Sequence, residues 1–397
     1  MKYSPLFCLL LLGIDIQAQS GKDKNKAVAV LQKTLAKLNN MQSVSYRYTR
    51  EMRYHEDNYH NMDSAAIYIQ YESRNVGGLR FQATRPAVRF IYDGARTLGL
   101  DDSNRTIDTA TVKTAAALES NTFLYHSLAT LRNILPLIIQ TDNIQKSISD
   151  TILQGRRFLS VRIEAPGRYF GGLNGIQQLP ADANLKRPYY LLIDSETQLP
   201  YQYVAKIVRG TDDRDFITVT YRSIETNPAA PKDDSWLYAT YAARYSPFKA
   251  KERKPIVKAG APVRNFTLPR YTAEAIDSIS LQQFAGKVVL LDFWFKSCGP
   301  CMQAMPHYNT LQQKFGKDGF QLITINIEDG EDDMKFFYNK YQPNYHMLFK
   351  GQALFDQLGL SGCPSSILLD KNSKVTHVFH GFNQTLIESK VAEVMVQ

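Results

Sequence analysis

The chain has 397 residues, of which 44% are hydrophobic and 21% are charged, and its formal net charge is +9. The length argues against one compact domain, and the composition is that of a globular protein with buried cores. No run of Lys and Arg resembles a nucleic-acid-binding arm, so the positive charge does not predict a nucleic-acid partner.

The N-terminus has the pattern of a secretory signal peptide. Lys2 supplies a positive charge, residues 6–14 form an apolar run too short to span a bilayer, and small residues follow around Ala18. We therefore predict a signal peptide at 1–20 and export to the periplasm or cell envelope. Asp15 is unusual within such a segment, which leaves an N-terminal membrane tether as the alternative.

Residues 24–245 are predicted to form a β-rich α+β domain. Apolar residues recur at helical spacing from Val28 to Leu38, and the spacing then changes to alternation of apolar and polar residues over 44–54. A later apolar stretch is predicted to be helical as far as Pro136. The alternation returns around Ile67, Val161 and Val219. Many strands with one face in water indicate a curved antiparallel sheet over helices.

The order of these elements resembles the LolA-like lipoprotein-carrier superfamily. Two phrases carry the resemblance, "FIYDGARTLGL" at 90–100 and "YYLLIDSETQLPYQY" at 189–203. It implies a half-barrel whose apolar concave side holds a lipid or a peptide. The alternative is a sheet that packs its own core and serves as a spacer or a homodimerisation domain.

A basic linker is predicted at 246–259, and an α/β domain at 260–397. The run "KVVLLDFWF" at 287–295 is nearly continuous in apolar residues, as expected for a central strand covered on both faces. A helix follows to about Phe315. Further strands are predicted at 320–328, 365–370 and 374–382, with helices around 332–341 and 353–358 and from about Gln384.

Two cysteines lie at the start of the first of these helices, in the motif CGPC. Unpaired N–H groups and the helix dipole stabilise a thiolate at Cys298. Cys301 follows three residues later, on the same helical face and within disulfide reach. We expect Cys298 to be the exposed attacking sulfur and the less accessible Cys301 to resolve the mixed disulfide. With Cys8 removed by processing, Cys363 is the third remaining thiol, and three are too few for a disulfide framework.

Residues 260–397 resemble a thioredoxin fold of the TlpA-like or ResA-like thiol-disulfide oxidoreductase family. The matching phrases are "AGAPVRNFTLP", "FAGKVVLLDFWFKSCGPC", "MPHYNTLQQKF" and "GLSGCPSSILLD". The resemblance implies a redox-active Cys298–Cys301 disulfide with no further cofactor and no metal. It also implies disulfide-containing exported proteins as substrates and a membrane thiol reductant of the DsbD-like type. Around the pair, Trp294, Gly299 and Pro300 are predicted to contact substrate.

Asp292 is a lone carboxylate within the apolar strand. Such a group is costly unless its pKa is raised and it has a role. The resemblance to thioredoxins implies that Asp292 accepts the proton of Cys301. The TlpA-like family usually carries a glutamate three residues after the second cysteine, where this chain has Ala304. We therefore assign proton transfer to Asp292, with a purely structural buried acid as the alternative.

The resemblance also places a cis-proline opposite the cysteine pair, at Pro364. The backbone before it, at Cys363, is implied to pair with a substrate strand. A cysteine at this position would tune substrate release, form an alternative disulfide, or simply fill space, and the sequence leaves these three readings open.

Other functions fit the residues less well. A zinc site would need a fourth ligand, and the histidines near the cysteines lack a convincing spacing; they are His307, His346, His377 and His380. A peroxiredoxin-type peroxidase typically has Pro and Thr before its cysteine, and residues 293–297 are FWFKS. A lipid or peptide carrier built on the N-terminal sheet is the remaining rival. The sequence therefore predicts an exported thiol-disulfide oxidoreductase that reduces disulfides in other exported proteins.

Overall fold

The structure is a computed structural model that describes residues 21–173, 175–178, 185–249 and 256–396. The predicted signal peptide at 1–20 lies outside the described residues. The described part of the chain divides into two compact units. The first contains the residues up to Met52 together with Asn61–Phe248, and the second contains Arg53–His60 and the residues from Lys249 onward.

The first unit is rich in β-structure. Its helices are α1 (Gly21–Asn39), α2 (Leu128–Gln140) and α3 (Tyr238–Ala242). Its strands are β1 (Ser43–Tyr54), β2 (Tyr59–Tyr71), β3 (Leu79–Thr84), β4 (Val88–Tyr92), β5 (Arg96–Asp101), β6 (Thr106–Thr111), β7 (Gln145–Leu153), β8 (Arg156–Glu164), β9 (Arg168–Gly172), β10 (Gly175–Gln178), β11 (Leu185–Lys186), β12 (Pro188–Asp194), β13 (Pro200–Arg209), β14 (Asp212–Thr226) and β15 (Ser246–Pro247). Strands β9 and β10 pair with each other, and the other strands form one large sheet in the order β15-β6-β5-β4-β3-β2-β1-β14-β13-β12-β8-β7, with β11 also paired to β13.

The predicted alternation of apolar and polar residues is present in this sheet. Val44, Ile69, Val161 and Val219 are all fully buried, and the hairpin pairs such as β7/β8 and β13/β14 are antiparallel. The apolar side of the strands is therefore covered by the unit's own core, to which α1 and α2 contribute. The predicted curvature of the sheet and the LolA-like resemblance stay predictions.

Helix α2 does not end at Pro136 as the sequence suggested. It continues to Gln140 with the proline inside it. A proline in a helix interior removes one backbone hydrogen bond. Here Leu135 and Ile138, on either side of the proline, are each 1% exposed, and their burial holds the helix together through the missing bond. The sequence-based prediction of the helix end is therefore wrong.

The predicted linker at 246–259 is ordered at both ends. Ser246–Pro247 forms β15 and pairs in parallel with β6, and the amide of Val257 donates to the carbonyl of Leu358 at 3.0 Å. Residues 250–255 lie outside the described part of the chain. The linker at 246–259 stays a prediction, with hydrogen-bonded residues at both of its ends.

The second unit is an α/β layer. Its strands are β16 (Thr267–Tyr271), β17 (Ile276–Ser280), β18 (Val288–Trp294), β19 (Phe320–Asn326), β20 (His346–Leu348), β21 (Ser365–Leu369) and β22 (Val375–His380). Its helices are α4 (Gly299–Phe315), α5 (Glu331–Tyr341), α6 (Gln352–Gln357) and α7 (Gln384–Met395). The strand order is β17-β16-β20-β19-β18-β21-β22. Strand β18 runs parallel to β19 and antiparallel to β21.

Strand β18 is buried along its entire length, which confirms the central strand predicted from the apolar run. Alternate side chains of the strand pack into two hydrophobic cores, one on each face of the sheet. The first, which we call the helix-side core, contains Leu290 and Trp294 with residues of α4, α5 and α7. The second contains Leu291 and Phe293 with residues of α6. The thioredoxin-like fold predicted for this part of the chain is thus present.

Three strands of this unit were missed in the sequence. Strand β16 contains Pro269 and is only partly buried, and β17 is largely exposed, so neither shows a clear apolar period. Strand β20 has three residues, which is too short for any period to show. No described helix is long and apolar enough to cross a membrane.

Candidate active site

The cysteine pair lies at the first turn of helix α4. Cys298 is the N-cap of the helix, and Pro300 occupies the first turn, where a missing N–H costs nothing. Cys298 and Cys301 form a disulfide with their Cα atoms 5.2 Å apart. The backbone N–H of Cys301 donates to the Cys298 Sγ at 3.2 Å. An N–H directed at this sulfur, with the helix dipole behind it, favours the thiolate once the disulfide is reduced.

The two sulfurs differ in exposure less than the sequence suggested. Cys298 is 5% exposed and Cys301 is 1% exposed, so both are buried, and the prediction of an exposed Cys298 needs correction. The neighbouring residues Ser297, Gly299 and Pro300 are exposed, so the surface lies directly beside Cys298. Cys298 is the more exposed of the two residues, in the same order as the predicted roles.

A clamp holds the loop that leads into the pair. The Asp329 carboxylate accepts the backbone N–H of Lys296 at 2.6 Å and the Asn326 side-chain amide at 2.7 Å. The Lys296 ammonium donates to Asp333 at 2.8 Å. The loop before Cys298 is thereby fixed to the end of β19 and the start of α5. The sequence analysis missed these residues, although the acidic cluster IEDGEDD at 327–333 was visible.

Asp292 is buried on the side of β18 that faces helix α4. It alternates with Leu290 and Trp294, so its side chain points toward the helix-side core that contains Cys298 and Cys301. It is 1% exposed. Burial raises the pKa of Asp292 to about 7, although hydrogen bonding from Ser366 and the nearby Tyr308 hydroxyl act to lower it. A carboxyl with a pKa near neutrality can both take and release a proton at physiological pH.

Two hydroxyl groups beside Asp292 were missed in the sequence. Ser366 Oγ donates to Asp292 Oδ1 at 2.6 Å, from the residue directly opposite on β21. Tyr308 lies on α4, and its buried hydroxyl has no hydrogen-bond partner in the described part of the protein. Tyr308 could have been found from the sequence, because it follows Cys301 by seven residues. That spacing is about two helical turns and places both residues on the same face of the helix. The strand register that brings in Ser366 was not readable.

Cys363 and Pro364 precede strand β21. Their peptide bond is cis, as the resemblance implied. Cys363 is a half-buried free thiol that packs against both cores of the unit. Burial, with smaller contributions from the charges of Asp292 and Glu328, raises the pKa of Cys363 to about 12. The thiol is therefore protonated at neutral pH, and in this state it is a poor nucleophile.

Trp294 does not contact the surface. Its side chain is fully buried and packs edge-to-face on Phe337 with ring centroids 5.2 Å apart. The prediction that Trp294 binds substrate is therefore corrected, and the structure assigns it to the helix-side core. It was misread because it ends a strand next to the motif, and its exposure depends on helix α5, which the sequence does not place.

Among the described residues, no group of three or more His, Cys, Asp or Glu side chains is arranged to hold a metal ion. The site's chemistry rests on sulfur and on one buried carboxyl. A dithiol that can close to a disulfide at the start of a helix is the arrangement that carries out dithiol–disulfide exchange. The second unit is thus a thioredoxin-fold thiol-disulfide oxidoreductase.

The C-terminal part of the chain is similar in sequence to known proteins. The family described as Redoxin matches residues 258–395. The thiol-disulfide oxidoreductase ResA of Halalkalibacterium halodurans is 30% identical over 152 residues, covering 38% of this chain and 82% of that protein. ResA of Bacillus anthracis is 30% identical over 138 residues, covering 34% of this chain and 77% of that protein. The thioredoxin domain of a thiol-disulfide oxidoreductase from Bacteroides vulgatus is 22% identical, covers 34% of this chain and 99% of that domain, and has a TM-score of 0.30.

The chain belongs to the ResA family of thiol-disulfide oxidoreductases. The predicted TlpA-like or ResA-like resemblance of the C-terminal region is confirmed.

Proposed function

We propose that this protein is exported and reduces disulfides in other exported proteins. The observation that carries the proposal is the cysteine pair itself: Cys298 caps helix α4, receives the Cys301 N–H on its sulfur, and closes a disulfide with Cys301. The direction of electron flow is supported by the Gly-Pro pair between the cysteines, which resembles thioredoxin. Export is supported by the signal-peptide pattern of residues 1–20.

The reaction proceeds in two exchanges. The Cys298 thiolate attacks one sulfur of the substrate disulfide, forming a mixed disulfide, and the other substrate sulfur leaves as a thiolate that takes a proton from water. Asp292 then accepts the proton of the Cys301 thiol. The Cys301 thiolate attacks the Cys298 sulfur, the Cys298–Cys301 disulfide forms, and the second substrate thiolate is released.

Each turnover moves two electrons from the cysteine pair to the substrate, so the pair must be reduced again. A membrane thiol donor of the DsbD-like type would supply these electrons by the same exchange chemistry. Gly299 and Pro300, which are exposed beside Cys298, and the backbone at Cys363 are the proposed substrate contacts. The carrier alternative rests on the LolA-like resemblance of the first unit alone, and binding of an extracted lipid by this protein would favour it.

A redox titration with alkylated thiols counted by mass tests this function. A two-thiol transition near the roughly −270 mV of thioredoxin supports a reductase, whereas a midpoint near the roughly −120 mV of DsbA indicates an oxidant that installs disulfides. The variant Cys298→Ser should lose exchange entirely, and Cys301→Ser should accumulate mixed disulfides. A Cys298→Ser protein with full activity would refute the mechanism.

A further inference from the structure

The groups around Asp292 come from three elements of the second unit. Ser366 on β21 and Thr324 on β19 are its direct neighbours across the sheet, and the Ser366 hydroxyl donates to it at 2.6 Å. Tyr308 approaches from helix α4, within the same core. Each of these three neighbours of the carboxyl carries a hydroxyl group, and hydroxyls donate hydrogen bonds without adding charge.

Tyr308 lies on the same face of α4 as the resolving cysteine. Cys301, Ala304 and Tyr308 are spaced by three and then four residues, which aligns them along one side of the helix. All three are buried, at 1%, 0% and 1% exposure. Ala304 occupies the position of the family's glutamate, and its small side chain leaves Tyr308 as the next polar group along this face.

The Tyr308 hydroxyl is free to act on Asp292. It has no hydrogen-bond partner within the described residues, and leaving a buried donor unpaired costs free energy. Tyr308 acts to lower the pKa of Asp292, whereas burial, followed by the charge of Asp292, raises the pKa of Tyr308 well above its usual value. The tyrosine therefore stays protonated and can only donate to the carboxylate.

Few titratable groups face Asp292 from the elements around it. They are Cys301 and Tyr308 on helix α4, Tyr345 before β20, and Cys363 before β21. The charge of Asp292 contributes to the raised pKa values of Tyr308, Tyr345 and Cys363. Among the described residues, no Lys or Arg shifts the pKa of Asp292. Stabilisation of its charge therefore falls to the hydroxyls.

We propose that Tyr308 and Ser366 are positioning residues that hold Asp292 in its charged, proton-accepting form during the second exchange. This inference rests on the proposed function. Ser366 already donates to the carboxyl, and in this proposal the unpaired Tyr308 hydroxyl donates to it once it becomes charged; both residues keep their own protons. The proton of the Cys301 thiol passes to Asp292 and afterwards to solvent, while the Cys298–substrate bond breaks and the Cys298–Cys301 bond forms.

The test separates the two exchanges in one experiment. Reduced protein in a Cys363→Ser background is mixed with 5,5′-dithiobis(2-nitrobenzoate) in a stopped-flow instrument at pH 5 to 9. The first nitrothiobenzoate released reports attack by Cys298, and the second reports resolution by Cys301. The variants are Tyr308→Phe and Ser366→Ala, each of which removes one hydroxyl.

We expect the pH midpoint of the second phase to rise by about one to two units in each variant, as for loss of a hydrogen bond to a charged group. With a wild-type midpoint near 7, the second phase at pH 7 then slows by about fivefold or more. The first phase should change by less than about twofold, since Asp292 does not take part in it. Tracking the Asp292 carboxyl carbon by NMR should show the same shift in its titration.

Three controls distinguish a positioning role from a structural one. Ser366→Thr keeps the hydroxyl and should restore the wild-type midpoint. Tyr345→Phe removes an equally buried hydroxyl that donates to Met305 Sδ at 3.6 Å, and it should leave the midpoint unchanged. In an Asp292→Asn background, Tyr308→Phe should have no further effect on the second phase.

Superimposable pH profiles for wild type, Tyr308→Phe and Ser366→Ala would overturn the inference while leaving the proposed function intact. An absence of both phases in the wild type would instead refute the proposed function. If Tyr308→Phe fails to fold, as judged by circular dichroism, Ser366→Ala and its threonine rescue decide the question. A variant that slows both phases equally, and slows them by the same factor when Asp292 is already replaced by Asn, would also count against the inference.

Discussion

Replacing Asp292 by Asn should make the second unit more stable at neutral and alkaline pH while impairing its catalysis. Asp292 is 1% exposed within the central strand, and its folded-state pKa is raised to about 7, mainly by burial. In the unfolded chain, an aspartate has a pKa near ~3.9. The folded state therefore binds the proton more tightly, and ionising the group opposes folding.

The sign and size of the effect follow from this difference. Well below the unfolded-state pKa of ~3.9 the carboxyl is protonated in both states and ionisation costs nothing, and at pH 4 the cost is still small. The cost grows as the pH rises from about 4 to 7 and is constant above that. A difference of about 3 pKa units corresponds to about 4 kcal/mol at pH 8. Asparagine cannot ionise, can still accept from Ser366 Oγ, and removes this cost.

The assay is urea unfolding of the full chain at pH 4 and pH 8. The protein has two tryptophans, and in a Trp236→Phe background the fluorescence of Trp294 reports the unit that contains Asp292. We expect Asp292→Asn to raise the unfolding free energy at pH 8 by several kcal/mol more than at pH 4. Asp318→Asn, at an exposed position after α4, is the matched control. Equal effects of Asp292→Asn at the two pH values would refute the reasoning.

Three further predictions concern residues around the cysteine pair. Cys363→Ser should change the rate of disulfide exchange by less than about twofold at pH 7, because a thiol whose pKa is raised to about 12 stays protonated; detection of a disulfide to Cys363 by mass spectrometry during turnover would contradict this. Asp329→Ala should lower the unfolding free energy by about 1–3 kcal/mol and slow attack by Cys298, since the Lys296 N–H loses its acceptor; an unchanged attack rate would show that the clamp does not position the loop. Trp294→Phe should cost about 1–3 kcal/mol of stability through lost packing, with substrate KM unchanged, and a raised KM at full stability would restore Trp294 as a substrate contact.

The chemistry of the second unit was readable because it depends on local patterns. The apolar run before the cysteines predicted a strand covered on both faces, which the structure confirms, and CGPC after that strand predicted the start of a helix. Asp292 was conspicuous as the one ionisable residue in the run. Ser366 was not, because its place beside Asp292 depends on the register between β18 and β21. The burial of Cys298 likewise depends on loops that are distant in sequence.

In the first unit, the sequence predicted strands but not their order. Alternation identified β1 and β14 separately, yet β1 lies between β2 and β14 in the sheet, a pairing across more than a hundred residues of sequence. Local periodicity contains no information about such a contact. For helix α2 a local rule gave a wrong prediction. The proline at Pro136 predicted the end of the helix, but the burial of its neighbours keeps the chain helical beyond it.

The pKa of Asp292 depends on whether Cys298 is a thiolate or is bonded in a disulfide, and so does its ability to take the Cys301 proton. In the reduced protein, a Cys298 thiolate in the same core would raise the pKa of Asp292 further, and the two titrations would be coupled. In the mixed disulfide, Cys298 carries no charge, as in the disulfide of this structure. The pKa of about 7 for Asp292 belongs to the Cys298–Cys301 disulfide form, in which Cys298 is uncharged as it would be in the mixed disulfide. Under the proposed mechanism, formation of the mixed disulfide would remove the Cys298 charge before Asp292 takes the Cys301 proton.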